Sequence, residues 1–199
     1  EHIGLISAEQ QLKNRLIFGG YPDVINQPGD EKEILAQLVD SYLYKDLLAH
    51  GNIRKPDILE KLVQALALQV GSEVNYNEIA RLIGVDRNTV AEYISLLEKA
   101  FVVFSLHSFS RNHRNEIKKG LKIYFYDNGV INAITGNFNH FDLRPDKGGL
   151  WENLLVSYRL KLLRYNQRRA SMYFLPTTRH HEIDYLYEQA GQLRAFEFN

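Results

Sequence analysis

The chain has 199 residues, of which 24 are Lys or Arg and 24 are Asp or Glu, so its formal net charge at neutral pH is zero. That balance excludes a global attraction to nucleic acid or to an anionic membrane surface, and any such affinity has to come from a local patch. Hydrophobic residues make up 45% and aromatics 12% of the chain, enough to build cores, and there is no cysteine, which excludes a disulfide framework and a thiolate metal site. No stretch of about 18 uninterrupted apolar residues argues for a membrane span. The opening Glu1-His2-Ile3-Gly4-Leu5 lacks a signal-peptide pattern, and a cytoplasmic setting is expected. The absence of an initiator Met and a strand-like finish predict a piece of a longer protein.

The first fifty or so residues read as helices. Leu12, Leu16 and Ile17 suit a short amphipathic helix ending at Gly19-Gly20, after which Tyr21-Pro22 resets the chain and Gln27-Pro28-Gly29 makes a turn. Asp30 is the expected N-cap of a long helix carrying Ile34, Leu35, Leu38, Val39, Tyr42 and Leu43 at helical spacing. Tyr42-Leu43-Tyr44-Lys45-Asp46 is less ordinary, since it mixes aromatics with an ion pair. Pro56 then starts a helix with Ile58, Leu59, Leu62, Val63, Leu66 and Val70 on its apolar side, running to Gly71.

Residues 77–97 have the pattern of a helix-turn-helix. Ile79, Ala80 and Ile83 lie on a short first helix, Gly84 supplies the turn, Val85 fills the gap, and Asp86 or Asn88 caps a second helix carrying Val90, Ile94 and Leu97. Strand-like runs follow at 101–106 and 121–126, separated by a polar, basic loop, which makes the whole a winged helix. The second helix is expected to expose Arg87, Asn88, Thr89, Glu92, Tyr93 and Lys99, and the wing to offer Arg111, Arg114, Lys118 and Lys119. Arg87, Asn88, Arg114, Lys118 and Lys119 are the candidate nucleic-acid contacts, directed mainly at phosphates. A protein-docking surface is the alternative use of the same module, and Glu92 on the exposed face favours it.

Asp127-Asn128-Gly129 reads as a turn. Gly148-Gly149 opens a helix to about Asn166 with apolar positions Leu154, Leu155, Tyr158, Leu162 and Leu163, and with Glu152 in its first turn, where a carboxylate interacts favourably with the helix dipole. Strands are expected at 172–175, 182–187 and 193–198. His180-His181, adjacent on an extended chain, point to opposite faces and read as surface residues rather than a chelating pair. Asp184 on one strand and Glu197 on the next resemble the arrangement by which PD-(D/E)XK nucleases hold a divalent metal. Residues two apart on a strand share a face, so Glu197 and Asn199 point the same way, and a hard cation such as Mg²⁺ takes oxygen ligands. Asp184 and Glu197 are the candidate metal ligands, and Glu152 with them completes a candidate catalytic set. Asn199 stands where that family has Lys, and a neutral amide cannot put a positive charge beside a developing phosphorane, so the site reads as vestigial with at most weak Mg²⁺ binding.

Across nearly the whole chain, and in order, a set of phrases resembles the C-terminal region of a widespread bacterial and archaeal AAA+ ATPase family. They are Phe18-Gly19-Gly20-Tyr21-Pro22-Asp23-Val24, Tyr42-Leu43-Tyr44-Lys45-Asp46, residues 77–97, Lys122-Ile123-Tyr124-Phe125-Tyr126-Asp127-Asn128-Gly129, Trp151-Glu152-Asn153, Glu182-Ile183-Asp184-Tyr185 and Ala195-Phe196-Glu197-Phe198. The resemblance implies a parent protein with an N-terminal P-loop ATPase domain that uses ATP and Mg²⁺, then a helical lid, then this region. It implies an α+β chain with a helical lid-like segment over 1–54, a winged helix over 55–126 and an incomplete PD-(D/E)XK-like α/β unit over 127–199. The sequence holds no G-x-x-x-x-G-K-[ST], so it cannot cradle nucleotide phosphates by that loop. Gly19-Gly20-Tyr21-Pro22 resembles an adenine-contacting segment of related ATPases, and a plain helix-ending turn is the simpler reading. The expected function is therefore an accessory and regulatory region without enzymatic activity of its own, with DNA and other protein subunits as partner classes and no membrane. A metal-dependent DNase and a winged-helix DNA-binding regulator are the alternatives.

Overall fold

The computed structural model describes residues 2–41, 47, 55–110, 120–168, 170–176, 183–189 and 191–198, with side chains from residue 8 onward. Tyr42, Leu43, Tyr44, Lys45, Asp46, Arg111, Arg114, Lys118, Lys119, His180, His181, Glu182 and Asn199 lie outside the described residues. The fold is a mixed α+β one, with helices enclosing one core and a five-stranded open sheet carrying a second.

Helix α1 (His2–Phe18) is longer than its spacing suggested, and it buries Leu16 and Ile17 while Leu12 stays at the surface. It stops because Gly19 adopts φ +73°, the left-handed conformation that closes a helix C-terminus. Pro22 begins α2 (Pro22–Asn26), where the missing amide proton costs nothing. In α3 (Glu31–Leu38), Asp30 does not cap with its side chain as expected: its φ of −107° and ψ of 12° are not those of a capping residue, and the Gly29 amide donates instead to Glu31. Helix α4 (Pro56–Leu68) starts at Pro56 and buries seven side chains.

Two helices joined at Gly84 follow. In α5 (Tyr76–Ile83) Ile79, Ala80 and Ile83 are buried, and Gly84 closes it at φ +75°. Asp86 caps α6 (Arg87–Lys99), accepting from the amides of Asn88 at 2.8 Å and Thr89 at 3.0 Å. Tyr93 is not on the exposed face as expected. It is buried with Val90, Ile94 and Leu97, because its ring adds apolar area to the stripe that packs on the core, and Thr89 turns its hydroxyl back to Asp86. Phe101 is likewise no part of a strand: it sits at φ 56° in the turn after α6, and β1 (Val103–Ser108) begins two residues later.

Strand β1 pairs antiparallel with β2 (Leu121–Phe125), matching Phe104 with Tyr124 and Leu106 with Lys122. Asp127-Asn128-Gly129 is a helix start rather than a bare turn. Asp127 accepts from the Gly129 amide and caps α7 (Asn128–Thr135), a helix that the phrase as a turn signal concealed. A short 3₁₀ turn (Phe141–Leu143) leads to α8 (Lys147–Tyr165). Its buried face consists of Leu150, Asn153, Leu154, Val156, Ser157, Leu160 and Leu163, whereas Tyr158 and Leu162, expected on that face, are 42% and 52% exposed. The expectation failed because two polar residues, Asn153 and Ser157, take places on the inner face. The sheet continues with β3 (Ser171–Leu175), β4 (Ile183–Gln189) and β5 (Gln192–Phe196), in the order β2-β1-β3-β4-β5, with β1 and β3 parallel and the other pairs antiparallel. Side chains two apart on these strands share the face under α8. Phe104, Leu106, Tyr124, Phe174, Tyr185 and Tyr187 meet Val156 and Leu160 there.

A buried amide network ties the ends of these elements together. The last carbonyls of α1 have no partner within the helix. Asn132 donates to Leu16 O at 3.2 Å and Ile17 O at 2.6 Å, and Asn128, one turn earlier on α7, donates to Leu16 O at 3.3 Å and to Leu150 O of α8 at 2.9 Å. Asn153 of α8 accepts from Phe125 N at 2.8 Å, donates to Phe125 O at 3.1 Å and donates to Asn128 Oδ1 at 2.8 Å. At the end of edge strand β2, the Asn153 amide thus does what a neighbouring strand would do. Asp127 completes the junction by accepting from Gly20 N at 2.8 Å. A Cβ on Gly19 would run into the Asp127 carboxylate, and one on Gly129 would run into Phe18 O.

Asn153→Leu leaves the buried Phe125 amide and carbonyl without partners, each worth about 1–3 kcal/mol. Urea denaturation is expected to show a loss of about 3 kcal/mol or more, with an unchanged slope. A loss below about 1 kcal/mol would mean that water or a local shift replaces the amide.

Candidate functional site

The sequence-predicted site residues sit on α8, β4 and the residue after β5. Glu152 is the sixth residue of α8, one turn further in than expected, since the helix starts at Lys147 and has no acidic residue in its first turn. Its carboxylate therefore does not face the dipole. It faces β2, where Lys122 Nζ donates to Glu152 Oε1 at 3.0 Å and the Tyr124 hydroxyl donates to the same oxygen. The side chains of Lys122 and Glu152 are only 3% and 14% exposed. Lys122 Nζ also lies over the ring of Phe174, 5.4 Å from its centroid. The loop after α4 closes the site from above: a Cβ on Gly71, at φ +82°, would come within 3.0 Å of Glu152 Oε2.

Burial pushes the Glu152 carboxyl above its usual value. The Tyr124 hydrogen bond and the Lys122 charge oppose that shift, and the Asp184 charge adds to it. Glu152 and Asp184 thus act on one another electrostatically. Asp184 Oδ2 accepts from Phe198 N at 2.7 Å. The β4–β5 ladder ends at Tyr185 and Phe196; Asp184 precedes it on β4 and Glu197 follows it just beyond β5, where it is exposed. Phe198 shares an apolar groove with Trp151, the neighbour of Glu152, so this end of β4 and β5 lies beside the start of α8. Among the described residues no three His, Cys, Asp or Glu side chains form a group that could hold a metal ion.

On the candidate nucleic-acid face, Arg87 and Asn88 are exposed at the start of α6, and Arg87 lies over the ring of Tyr76 at 5.8 Å. Sequence reasoning missed Lys122 and Tyr124 as partners of Glu152. The signal was present: a Lys and a Tyr two residues apart on an apolar strand share a face, and a buried Lys needs a carboxylate. It missed the asparagines as well, although Asn128 and Asn132 are one helical turn apart. Among the described residues no helix is long and apolar enough to cross a membrane.

Because the Glu152 carboxyl is held up in the folded state, its ionisation weakens the fold as pH rises from the unfolded value of about 4.5. Lys122→Met takes away the charge that limits this effect. The variant is expected to lose about 3–5 kcal/mol at pH 7.5, in the range for one broken partner of a buried pair. The loss should be smaller at pH 4.5, where more of the raised carboxyl is protonated. Denaturation at the two pH values measures both, and an equal loss at each would show that the pair has no ionic role.

Comparison with known proteins bears on the chain as a whole. An uncharacterized protein of Haemophilus influenzae is 26% identical over 146 residues, covering 68% of this chain and 36% of that protein. One of Methanocaldococcus jannaschii is 25% identical over 182 residues, covering 88% and 38%, and one of Mycobacterium tuberculosis is 26% identical over 161 residues, covering 80% and 36%. The chain thus spans just over a third of the length of these curated relatives. No solved structure matches it significantly. A family model matches residues 9–140, a span that includes Lys122 and Asp127 and stops short of Glu152 and Asp184, and the chain belongs to that family, described as a domain of unknown function (DUF8612).

Proposed function

We propose that this chain is an accessory and regulatory region of a larger AAA+ family ATPase, able to engage duplex DNA and carrying a nuclease-like unit that does not cut. The observation that carries the reading is length: the chain corresponds to just over a third of each relative, leaving ample room for an ATPase domain elsewhere. ATP and Mg²⁺ belong to that domain, since this sequence has no phosphate-cradling G-x-x-x-x-G-K-[ST]. The order α5, Gly84, α6, then the antiparallel pair β1 and β2 supports a winged helix, with Arg87 and Asn88 as its contacts. Arg114, Lys118 and Lys119 would supply the wing's share. The order α8, β3, β4, β5, with Asp184 on β4 and Glu197 just after β5, supports a PD-(D/E)XK-like unit.

Two features support a silent site. Glu152 already spends its Oε1 on Lys122 and Tyr124. A cation beside Asp184 and Glu197 would have to compete with Lys122 for Glu152. The same lysine favours the second reading, a metal-dependent DNase, because it supplies near Glu152 a positive charge that Asn199 does not.

The test has three arms. The parent protein hydrolyses ATP and loses the dependence of its rate on DNA when these 199 residues are removed, while the chain alone hydrolyses none. The chain shifts mixed-sequence duplexes at low salt, and Arg87→Glu lowers the salt slope by about 0.9, the value of one phosphate contact. Single- and double-stranded DNA remain intact with Mg²⁺ or Mn²⁺. A parent without ATPase activity would end the main proposal, and failure to bind any duplex at low salt would end its DNA part. Cleavage abolished by Asp184→Ala would install the DNase reading instead.

A further inference from the structure

The other end of α8 borders a cavity that the reading above does not use. It measures about 250 Å³ and is lined by Arg159, Leu162, Leu163 and Asn166 of α8, by Arg168 just after the helix, and by Tyr185 and Tyr187 of β4. Among the described residues neither arginine has an ion-pair partner. The Arg159 guanidinium lies over the ring of Phe196, 4.3 Å from its centroid. Tyr187 receives a hydrogen bond from Arg194 Nη1 at 3.4 Å. Tyr185 is wholly buried, and its hydroxyl finds no hydrogen-bond partner among the described residues. A buried hydroxyl left in that state is costly, and folded proteins rarely tolerate one without a ligand or water to complete it.

These groups share one demand. Two guanidinium heads and a phenolic hydroxyl are all donors, and the acceptor that suits them is an oxyanion with several free oxygens. The volume exceeds that of a lone phosphate several times over, taking about 30 Å³ per water as the measure. Leu162 and Leu163 give the remaining space an apolar wall. We propose that this cavity binds a phosphomonoester of mononucleotide size, with its phosphate between Arg159 and Arg168 and one oxygen accepting from Tyr185. The Arg159 head, which lies over the Phe196 ring, turns from it to meet the anion. A phosphodiester inside a strand is flanked by sugar on both sides and cannot reach a wholly buried group, so the ligand presents a terminal phosphate, as a free nucleotide or the phosphorylated end of a strand does. The proposal stands independently of the ATPase and DNA readings.

Calorimetry of the 199-residue chain with AMP, adenosine, inorganic phosphate, and a dinucleotide with or without a 5′-phosphate tests it. AMP is expected to bind about tenfold or more tighter than adenosine or phosphate. Arg159→Gln and Arg168→Gln should each weaken it about tenfold, the scale of one charge-assisted hydrogen bond. Tyr185→Phe should weaken it several-fold while leaving the melting temperature of the ligand-free protein unchanged or higher, since the deleted hydroxyl has no partner among the described residues to lose. If Arg159→Gln fails to fold, Arg168, at the surface beyond the helix, carries that arm alone. The tighter of AMP and the phosphorylated dinucleotide identifies the source. The proposal is overturned by any of four results: no binding of either phosphomonoester, adenosine binding as tightly as AMP, affinity untouched in the arginine variants, or a marked drop in the ligand-free melting temperature of Tyr185→Phe.

Discussion

Three buried asparagines hold the pieces of this fold in register. Helix α1 ends inside the protein, where its last carbonyls have no water to turn to. Asn128 and Asn132 meet them from α7, Asn153 ties α7 to the end of β2, and Asp127 takes the Gly20 amide beyond the helix end. Asn128 and Asn153 each use both ends of a planar amide and Asn132 uses its donors, so the approach of the elements is tied to the planes of these amides. An apolar side chain of the same size would fill the space without fixing the angle. The glycines at 19 and 129 are part of the same constraint, because the carboxylate and the Phe18 carbonyl occupy the space their side chains would need.

The electrostatics follow from where these groups are buried. Asp127 and Glu152 both have carboxyls pushed up by burial, Asp127 against the Gly20 hydrogen bond and Glu152 against Tyr124 and Lys122. Their ionisation opposes folding above their unfolded values. Asp142, Asp146 and Asp86 behave oppositely: hydrogen bonds from Lys13, Arg144 and Thr89 respectively hold them below the usual range, and their contribution is lost as pH falls through it. The two sets therefore pull the stability in opposite directions as pH changes. A buried acid is retained at this cost where its geometry is needed, and Asp127 both starts α7 and stops the chain after α1.

Periodicity made the helices over 56–68, 76–83 and 87–99 legible, together with the Gly84 turn and the Asp86 cap, since each depends on local chemistry alone. The strands were legible to within two residues for the same reason. What stayed hidden was polar and nonlocal. Helix α7 was obscured by an Asp-Asn-Gly phrase that looks like a turn until its Asn is seen bonding residues more than a hundred positions away. The inner face of α8 was misjudged because a hydropathy pattern assigns Asn153 to solvent and Leu162 to the core. At the candidate site, Glu152 was picked out by its place before the last strands. Lys122 and Tyr124, two apart on an apolar strand some thirty residues earlier, carry the local mark of a shared face that needs a carboxylate, but nothing local says that Glu152 supplies it.

The phrases that make this chain resemble its suggested relatives are largely the ones the packing explains. Phe18-Gly19-Gly20, Asp127-Asn128-Gly129 and the Asn of Trp151-Glu152-Asn153 meet in one buried junction, and Lys122 and Tyr124 with Glu152 form a second one beside it. Residues joined in this way serve the packing of the fold, and a likeness in such phrases speaks to fold before it speaks to chemistry. The matched span of 9–140 contains the first junction except Asn153 and ends before the acidic residues. Among the described residues, Asp184 accepts from the Phe198 amide. Asp184 and Glu197 lie outside both buried junctions, near the start of β4 and just beyond β5.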